Sequence, residues 1–283
     1  MMGTRMIRQL RDALVKLNPG EVQRLAERPL RIELFAGSED VYRAMEAIFQ
    51  PAGPEQHNVT VYRWDGRPVE PDLRVVQEGG PQFSNSVFFD VNHPHDLIRE
   101  IVEQRDDLRL ALARYFPAFR EAVTTQIIRQ IARENAIFAL ATAVPYIVPF
   151  LSLPWAVGEF ASDTAFLTMN QVRMAFQLAA AFGRPVGYRQ QKREIASIIA
   201  AAFGWRALAR ELVGKIPAGG GLIPKAAVAY AATYVVGLSL ERVYRLGAEL
   251  SRSEKKAAYA EAFELGKALA GRLLEERAKQ AQA

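Results

Sequence analysis

The first stretch whose residue types could do chemistry is a glycine turn, Gly37-Ser38, between a predicted strand and a predicted helix. Nucleotide-binding folds place Gly-x-x-x-x-Gly-Lys-Ser/Thr at such a turn, supplying backbone amides, a lysine and a magnesium-binding hydroxyl. Here there is no lysine, and the carboxylates of Glu39 and Asp40 would repel a phosphate. We therefore expect no nucleotide hydrolysis, and we interpret Ser38 as the N-cap of the following helix.

Two of the three histidines flank a proline, in His93-Pro94-His95. A metal site requires more ligands at a defined spacing, and the third histidine, His57, does not supply one. We instead expect Asn92 or His93 to cap a helix that begins at Pro94. The chain has no cysteine, which removes disulfides, thiolate catalysis and cysteine-based metal sites. We therefore predict no catalytic residue, no cofactor and no metal.

Polar side chains interrupt an otherwise apolar helix predicted from Pro154 to about Phe182. Their spacing at four and seven residues puts Glu159, Asp163 and Asn170 on one helix face, with Gln171 beside them. Polar groups in an apolar helix need partners, because an unpaired buried group costs a few kcal/mol. The pattern predicts hydrogen bonding between helices or a solvent-facing stripe, and a ligand or ion site is the alternative.

The N-terminal segment predicts a basic amphipathic helix with no secretory signal. Apolar residues recur at helical spacing, and the basic residues Arg5, Arg8, Arg11 and Lys16 lie on other faces. Such a helix either docks on the domain behind it or lies on an anionic membrane. We expect docking, and we keep these four residues as the candidate membrane contact.

The elements that position these residues define an α+β, mainly α, protein. Strand and turn patterns predict about four strands and one helix in a small α/β unit, followed by long helices in a larger helical-hairpin domain. The expected divisions are amphipathic helices at 1–29, a small α/β domain at 30–92, a helical domain at 93–250 and a terminal amphipathic helix at 251–283.

The helical part contains a run without charge from Ala136 to Gly158, cut by Pro145, Pro149 and Pro154. A weak repeat at an offset of about seventy residues places Pro154 on Pro224 and Phe160 on Tyr230, which predicts two related hairpins. We interpret Gly219-Gly220-Gly221 as part of the second hairpin, in preference to an anion cradle. A transmembrane helix needs about 20 uninterrupted apolar residues. The prolines therefore disfavour continuous spans at Ala136–Gly158 and Ile216–Leu240.

Charge gives one further constraint on the partner. The chain of 283 residues carries a formal net charge of +5, and half of it is hydrophobic, which is ordinary globular composition. The positive excess suits an anionic membrane surface or nucleic acid and does not by itself distinguish them.

Residues from about Arg114 to Leu246 resemble the YcjF-like family, a bacterial family built on domain of unknown function 697. The resemblance is carried by Asn135 and the apolar run after it, Val144-Pro145, Ser162-Asp163, Asn170-Gln171, Met174, Phe182-Gly183, Lys215-Ile216-Pro217, Gly219, Gly221, Ala226, Thr233-Tyr234 and Gly237. In that family the helical domain often follows a GTPase domain or stands in proteins of the inner membrane. The resemblance therefore implies a fold and a membrane or GTPase neighbourhood, with no assigned catalytic residues. The N-terminal α/β unit would then be a degenerate GTPase-like domain.

We expect from the sequence a non-enzymatic cytoplasmic protein that works as a peripheral membrane or protein-interaction scaffold on the inner face of the cell membrane. Its expected partner is a membrane surface or a protein such as a GTPase, and we expect no nucleic acid. Two alternatives stay open, an integral membrane protein with proline-broken hairpins and a nucleotide-dependent switch.

Overall fold

The computed structural model describes residues 2–53, 56–66, 70–142, 163–201 and 221–280. It confirms an α+β, mainly α, fold with a small four-stranded sheet. The strands are β1 Leu30–Phe35, β2 Val59–Arg63, β3 Leu73–Gln77 and β4 Ser86–Phe89, and a short 3-10 turn spans Gln56–Asn58. The helices are α1 Met2–Leu14, α2 Pro19–Glu27, α3 Glu39–Ile48, α4 Pro94–Gln104, α5 Arg109–Tyr115, α6 Pro117–Ala141, α7 Asp163–Ala181, α8 with described residues 192–201, α9 Leu222–Leu246 and α10 Arg252–Gln280.

The sheet is parallel, with strand order β2-β1-β3-β4. β1 is central, and its Ile32 is in register with Val61 of β2 and Leu73 of β3. Glu33 of β1 is almost fully buried and pairs with Arg74 of β3, which compensates its charge. The four strands fall within residues 30–92, the range in which the sequence pattern predicts the α/β domain.

Local sequence explains how two helices begin. Ser38 caps α3, as predicted, because its Oγ accepts a hydrogen bond from the Val41 amide at 3.3 Å. At the start of α10, the Glu254 amide donates to Ser251 Oγ at 3.2 Å, and the Ser251 amide donates to Glu254 Oε2 at 2.8 Å. This reciprocal capping box fixes the start of the last helix. The hydrogen bonds from Ser251, together with Arg242, lower the pKa of Glu254 to about 2.

The chain divides into two compact units. The sheet unit comprises Gly20–Thr125 and Ala179–Val186, and the helical unit comprises Met1–Pro19, Gln126–Leu178 and Gly187–Ala283. This division groups α1 with the helical unit and α2, α4 and α5 with the sheet unit. The boundary falls within α6, which is later in the chain than the sequence-based boundary at residue 93.

Aromatic contacts and an ion pair pack the helices of the sheet unit together. Phe49 meets Phe116 edge to face, with ring centroids 5.5 Å apart, and Phe119 lies 5.5 Å from Phe49. Arg114, with 5% of its side chain exposed, pairs with Glu27 at 3.1 Å, which ties α5 to α2. These contacts explain why α5 and the start of α6 belong with the sheet unit.

The helical unit has two apolar clusters. One joins α6, α9 and α10 through Ala132, Ala136, Tyr230, Ala262 and their neighbours. In the other cluster, Leu10 and Ala13 of α1 are buried with Phe138, Phe166 and Met169. The Phe138 and Phe166 rings stack with centroids 3.8 Å apart. One face of α1 is therefore docked on this unit.

Two glycines allow the helices of this unit to approach closely. A Cβ atom on Gly237 of α9 would lie 2.7 Å from Ile128 Cγ1 of α6. A Cβ atom on Gly266 of α10 would lie 2.8 Å from the Ala227 Cα atom of α9. Both positions need glycine for space, since real Cβ contacts of that length essentially do not occur.

The internal repeat falls largely outside the described residues. Pro154, Phe160 and the crossings at 143–162 and 202–220 are not described, so the equivalence of the two hairpins stays a prediction.

Replacing Gly266 by alanine tests the close approach of α9 and α10. We expect Gly266→Ala to lower the free energy of unfolding by about 1–3 kcal/mol, because the methyl group overlaps backbone that cannot move easily. Gly271→Ala is the matched control on the same helix, because a Cβ there meets nothing within 4 Å. It should raise stability by about 0.5–1 kcal/mol through helix propensity. Urea denaturation followed by circular dichroism distinguishes the two, and equal effects would contradict the packing account.

Candidate functional site

The turn after β1 has its backbone amide engaged by the protein itself. The Gly37 amide donates to Gln77 Oε1 at 2.8 Å, so a side chain from the end of β3 holds the donor that a phosphate would need. The Glu39 carboxylate, in the first turn of α3, forms ion pairs with Arg43 and Arg63, each with an N–O distance of 3.1 Å. The turn therefore presents a capped helix and the ion-paired carboxylate of Glu39 in place of a phosphate cradle.

The histidine pair forms a helix start. Pro94 is the first residue of α4 and His93 is its N-cap residue, as predicted, although the His93 side chain makes no capping hydrogen bond. His93 Nδ1 lies 2.6 Å from Asp90 Oδ2, and this hydrogen bond raises the pKa of His93 and lowers that of Asp90. Among the residues that the structure describes, no group of three or more His, Cys, Asp or Glu side chains is placed to hold a metal ion.

A cluster of amides and one hydroxyl lies in the core of the helical unit. The Asn135 side chain donates to Thr233 Oγ1 at 2.8 Å and accepts from the Asn170 amide at 2.9 Å. Gln171 donates to the same Thr233 oxygen at 3.3 Å. All four residues are buried, so these bonds connect α6, α7 and α9 in a low-dielectric interior.

The four residues of the predicted polar face have different positions. Asn170 and Gln171 belong to the buried amide cluster, where they bond to α6 and α9. Asp163 is the first residue of α7, and Glu159 lies outside the described residues. The shared face of Glu159, Asp163 and Asn170 thus stays a prediction. Sequence periodicity on one helix could not identify Asn135 or Thr233 as partners, because they lie 35 and 63 residues from Asn170.

The predicted membrane-contact helix has a buried side and an exposed side. Leu10 and Ala13 are buried, whereas Arg8, Arg11 and Lys16 are exposed, and Arg5 belongs to the same helix. Val15 follows Arg11 by one turn and has 77% of its surface exposed. Docking and an exposed basic face therefore coexist on one element.

A second segment of the helical unit lies beside this exposed side. The Tyr188 hydroxyl donates to the Leu14 carbonyl and, at 3.4 Å, to the Leu17 carbonyl, so it satisfies acceptors at the end of α1. The Tyr188 ring meets Phe176 edge to face at 5.3 Å, and burial raises the pKa of its hydroxyl. Leu10, Arg11, Leu14, Val15, Tyr188 and Ile199 line an apolar cavity of about 380 Å³.

Basic residues continue directly from Tyr188. Arg189, Lys192 and Arg193 are exposed, and none of them has an ion-pair partner within the described part of the chain. We call the combined surface the α1 face: Arg8, Arg11, Leu14, Val15 and Lys16 with Tyr188, Arg189, Lys192, Arg193 and Ile199. The sequence shows the charged run Tyr188–Glu194, but only the fold places it beside α1.

Charge differs sharply between the two units. The helical unit contains 23 lysines and arginines against 13 aspartates and glutamates, a formal net charge of +10. The sheet unit contains 13 against 18, a formal net charge of −5. The positive excess of the chain therefore belongs entirely to the unit that carries the α1 face.

One helix of the described residues, α9, is long and apolar enough to cross a membrane. However, 67% of its apolar window is buried inside the protein, as in the core helix of a soluble domain. Pro145, Pro149, Pro154 and most of the segment between Ile216 and Gly221 lie outside the described residues.

No family model, curated protein or solved structure matches this chain. The fold and the site themselves define a two-unit α+β protein whose basic helical unit carries an apolar cavity rimmed by exposed cations.

Loss of Asn135 tests the buried amide cluster. Asn135→Ala leaves the Asn170 amide without its acceptor and removes one donor to Thr233. We therefore expect it to lower the free energy of unfolding by about 2–3 kcal/mol. Gln130→Ala, at an exposed site on the same helix, should change stability by less than about 0.5 kcal/mol. Urea denaturation measures both variants, and an Asn135→Ala variant as stable as the control would refute the structural role.

The turn at Gly37 predicts that GTP does not bind tightly. The Gly37 amide is occupied by Gln77, and Glu39 and Asp40 oppose a phosphate at the start of α3. We expect titration calorimetry with GTP and magnesium to show no micromolar affinity and phosphate release to stay at background. A micromolar dissociation constant would contradict this interpretation.

Proposed function

We propose that this is a non-enzymatic protein that attaches peripherally to an anionic membrane surface through the α1 face. The observation that carries the proposal is the exposed Val15 beside an apolar cavity, within a rim of exposed cations from two segments of the helical unit. An interfacial element combines such an apolar strip with lysines and arginines that contact anionic head groups.

The expected free energies of charge contacts and apolar burial favour attachment that depends mainly on charge. A basic residue near an anionic leaflet contributes about 1 kcal/mol, so Arg8, Arg11, Lys16, Arg189, Lys192 and Arg193 together supply several kcal/mol. The exposed apolar part is small, and burial contributes about 25 cal/mol per Å². Because surface charges are screened within about 8 Å at physiological ionic strength, such binding should weaken as salt rises.

The cytoplasmic leaflet carries a negative surface potential, so the proposed attachment is on the inner face of the cell membrane. The resemblance to the YcjF-like family expected from the sequence of residues 114–246 implies the same membrane location. The burial of α9 favours peripheral attachment over the integral alternative.

Flotation with vesicles tests the proposal. The protein should float with vesicles containing anionic phospholipid, should not float with neutral vesicles, and should be released by 1 M salt, where the screening length falls to about 3 Å. Arg8→Gln/Arg189→Gln/Arg193→Gln should weaken binding roughly a hundredfold, because three contacts of about 1 kcal/mol are lost.

The matched control is Arg252→Gln/Lys256→Gln/Lys279→Gln, which removes the same charge from exposed positions on α10. If both triple variants weaken binding equally, diffuse charge and not the α1 face is responsible. Binding that only detergent reverses would replace the proposal with the integral alternative. Failure to float with anionic vesicles would leave a protein-binding scaffold.

A further inference from the structure

A second groove of the helical unit lies along α10, with residues of α6 and α9 on its other sides. Its cavity has a volume of about 470 Å³ and is distinct from the α1 face, since the two share no lining residue. That volume falls in the range of small-molecule sites, about 300–1,000 Å³. The lining is polar on one side and apolar on the other.

The polar side is rich in unpaired arginine. Arg129 and Arg133 lie one turn apart on exposed positions of α6, and Arg272 of α10 lines the same groove. None of the three has an ion-pair partner among the described residues, and Glu276 is the acidic residue of the lining. Like charges at this helical spacing repel each other. An anion between them would relieve that repulsion.

The apolar side is a leucine stripe. Leu265, Leu269 and Leu273 follow one another at four-residue spacing on α10, and Leu265 is 46% exposed. Tyr230 of α9, with 7% of its surface exposed, also lines the groove. Burial raises the pKa of Tyr230, while Arg129 acts in the opposite direction, which is consistent with a cation close to the phenol. Covering this stripe would remove apolar surface from water.

We propose that this groove binds an anionic amphiphile, with a phosphate head group held by Arg129, Arg133 and Arg272 and an alkyl chain along Leu265, Leu269 and Leu273. Arginine suits a phosphate because its planar guanidinium donates two parallel hydrogen bonds. Inorganic phosphate would leave the leucines uncovered, and a neutral hydrocarbon would leave the arginine repulsion in place. The inference does not rest on membrane attachment, because it uses different residues from the α1 face.

Titration calorimetry with the full chain and dodecyl phosphate, kept below its critical micelle concentration, tests the proposal. Arg129→Gln/Arg133→Gln should weaken binding about tenfold or more, the loss expected when charge-assisted hydrogen bonds are removed. Leu265→Ser should also weaken it, because the alkyl chain loses a contact at a position that is already partly exposed. The matched control is Arg252→Gln, an exposed arginine of α10 outside the groove.

Three probes separate the head group from the chain. Inorganic phosphate, dodecyl maltoside and dodecyltrimethylammonium should each bind at least about tenfold more weakly than dodecyl phosphate. Inorganic phosphate that binds as tightly would identify a free-phosphate site, and equal binding of the cationic probe would show that the arginines play no part. Either result would overturn the proposal, as would an Arg129→Gln/Arg133→Gln variant with unchanged affinity or the absence of any dodecyl phosphate binding. Circular dichroism checks that each variant is folded.

The same titration on Arg8→Gln/Arg189→Gln/Arg193→Gln distinguishes this site from the α1 face. Dodecyl phosphate should bind that variant as tightly as it binds the unaltered protein, whether or not the variant floats with vesicles. A parallel loss would mean that the α1 face, and not the groove, holds the probe.

Discussion

Close packing of α9 against α6 and α10 depends on positions where no side chain fits. Gly237 faces Ile128 and Met174, and Gly266 faces the backbone of Ala227. Six of the eight buried residues in the cluster that joins α6, α9 and α10 are alanines, so backbone proximity and dispersion contacts hold these helices together. Within this interior, hydrogen bonds among Asn135, Asn170, Gln171 and Thr233 link three helices without burying a charge.

This interior also determines where charge can lie. α9 carries no charged residue between Lys225 and Glu241, and burying a lone cation among its alanines would cost far more than any single contact returns. Among the described residues of the unit, the lysines and arginines therefore lie mostly at exposed positions. Apolar residues that are only partly buried lie beside exposed arginines. These arginines belong to α1, to the segment after Tyr188 and to α6. Both proposals follow from this juxtaposition of exposed cations and incompletely buried apolar surface.

Much of the fold could be predicted because it depends on local signals. Alternating apolar residues gave the strands, and Ser38 and Pro94 marked helix starts where the structure has them. The unit division could not be predicted, since α4 and α5 have helical periodicity whether they pack on the sheet or elsewhere. Only part of the candidate site could be predicted from the sequence. Arg8, Arg11 and Lys16 belong to a local pattern, whereas Arg189 and Arg193 join them only through the long-range contact of Tyr188 with the end of α1.

The central claim is that the α1 face, and not the helical unit as a whole, contacts an anionic membrane. Because the chain has no cysteine, a single cysteine at position 15 or 246 can carry an environment-sensitive dye. Val15 is 77% exposed on the α1 face, and Leu246 is 60% exposed at the far end of α9, beyond the contact of Gly237 with Ile128. If the α1 face contacts the membrane, anionic vesicles will shift the emission of the dye to the blue at position 15 and leave it unchanged at position 246. An unchanged spectrum at position 15 in protein that is bound to the vesicles would contradict it.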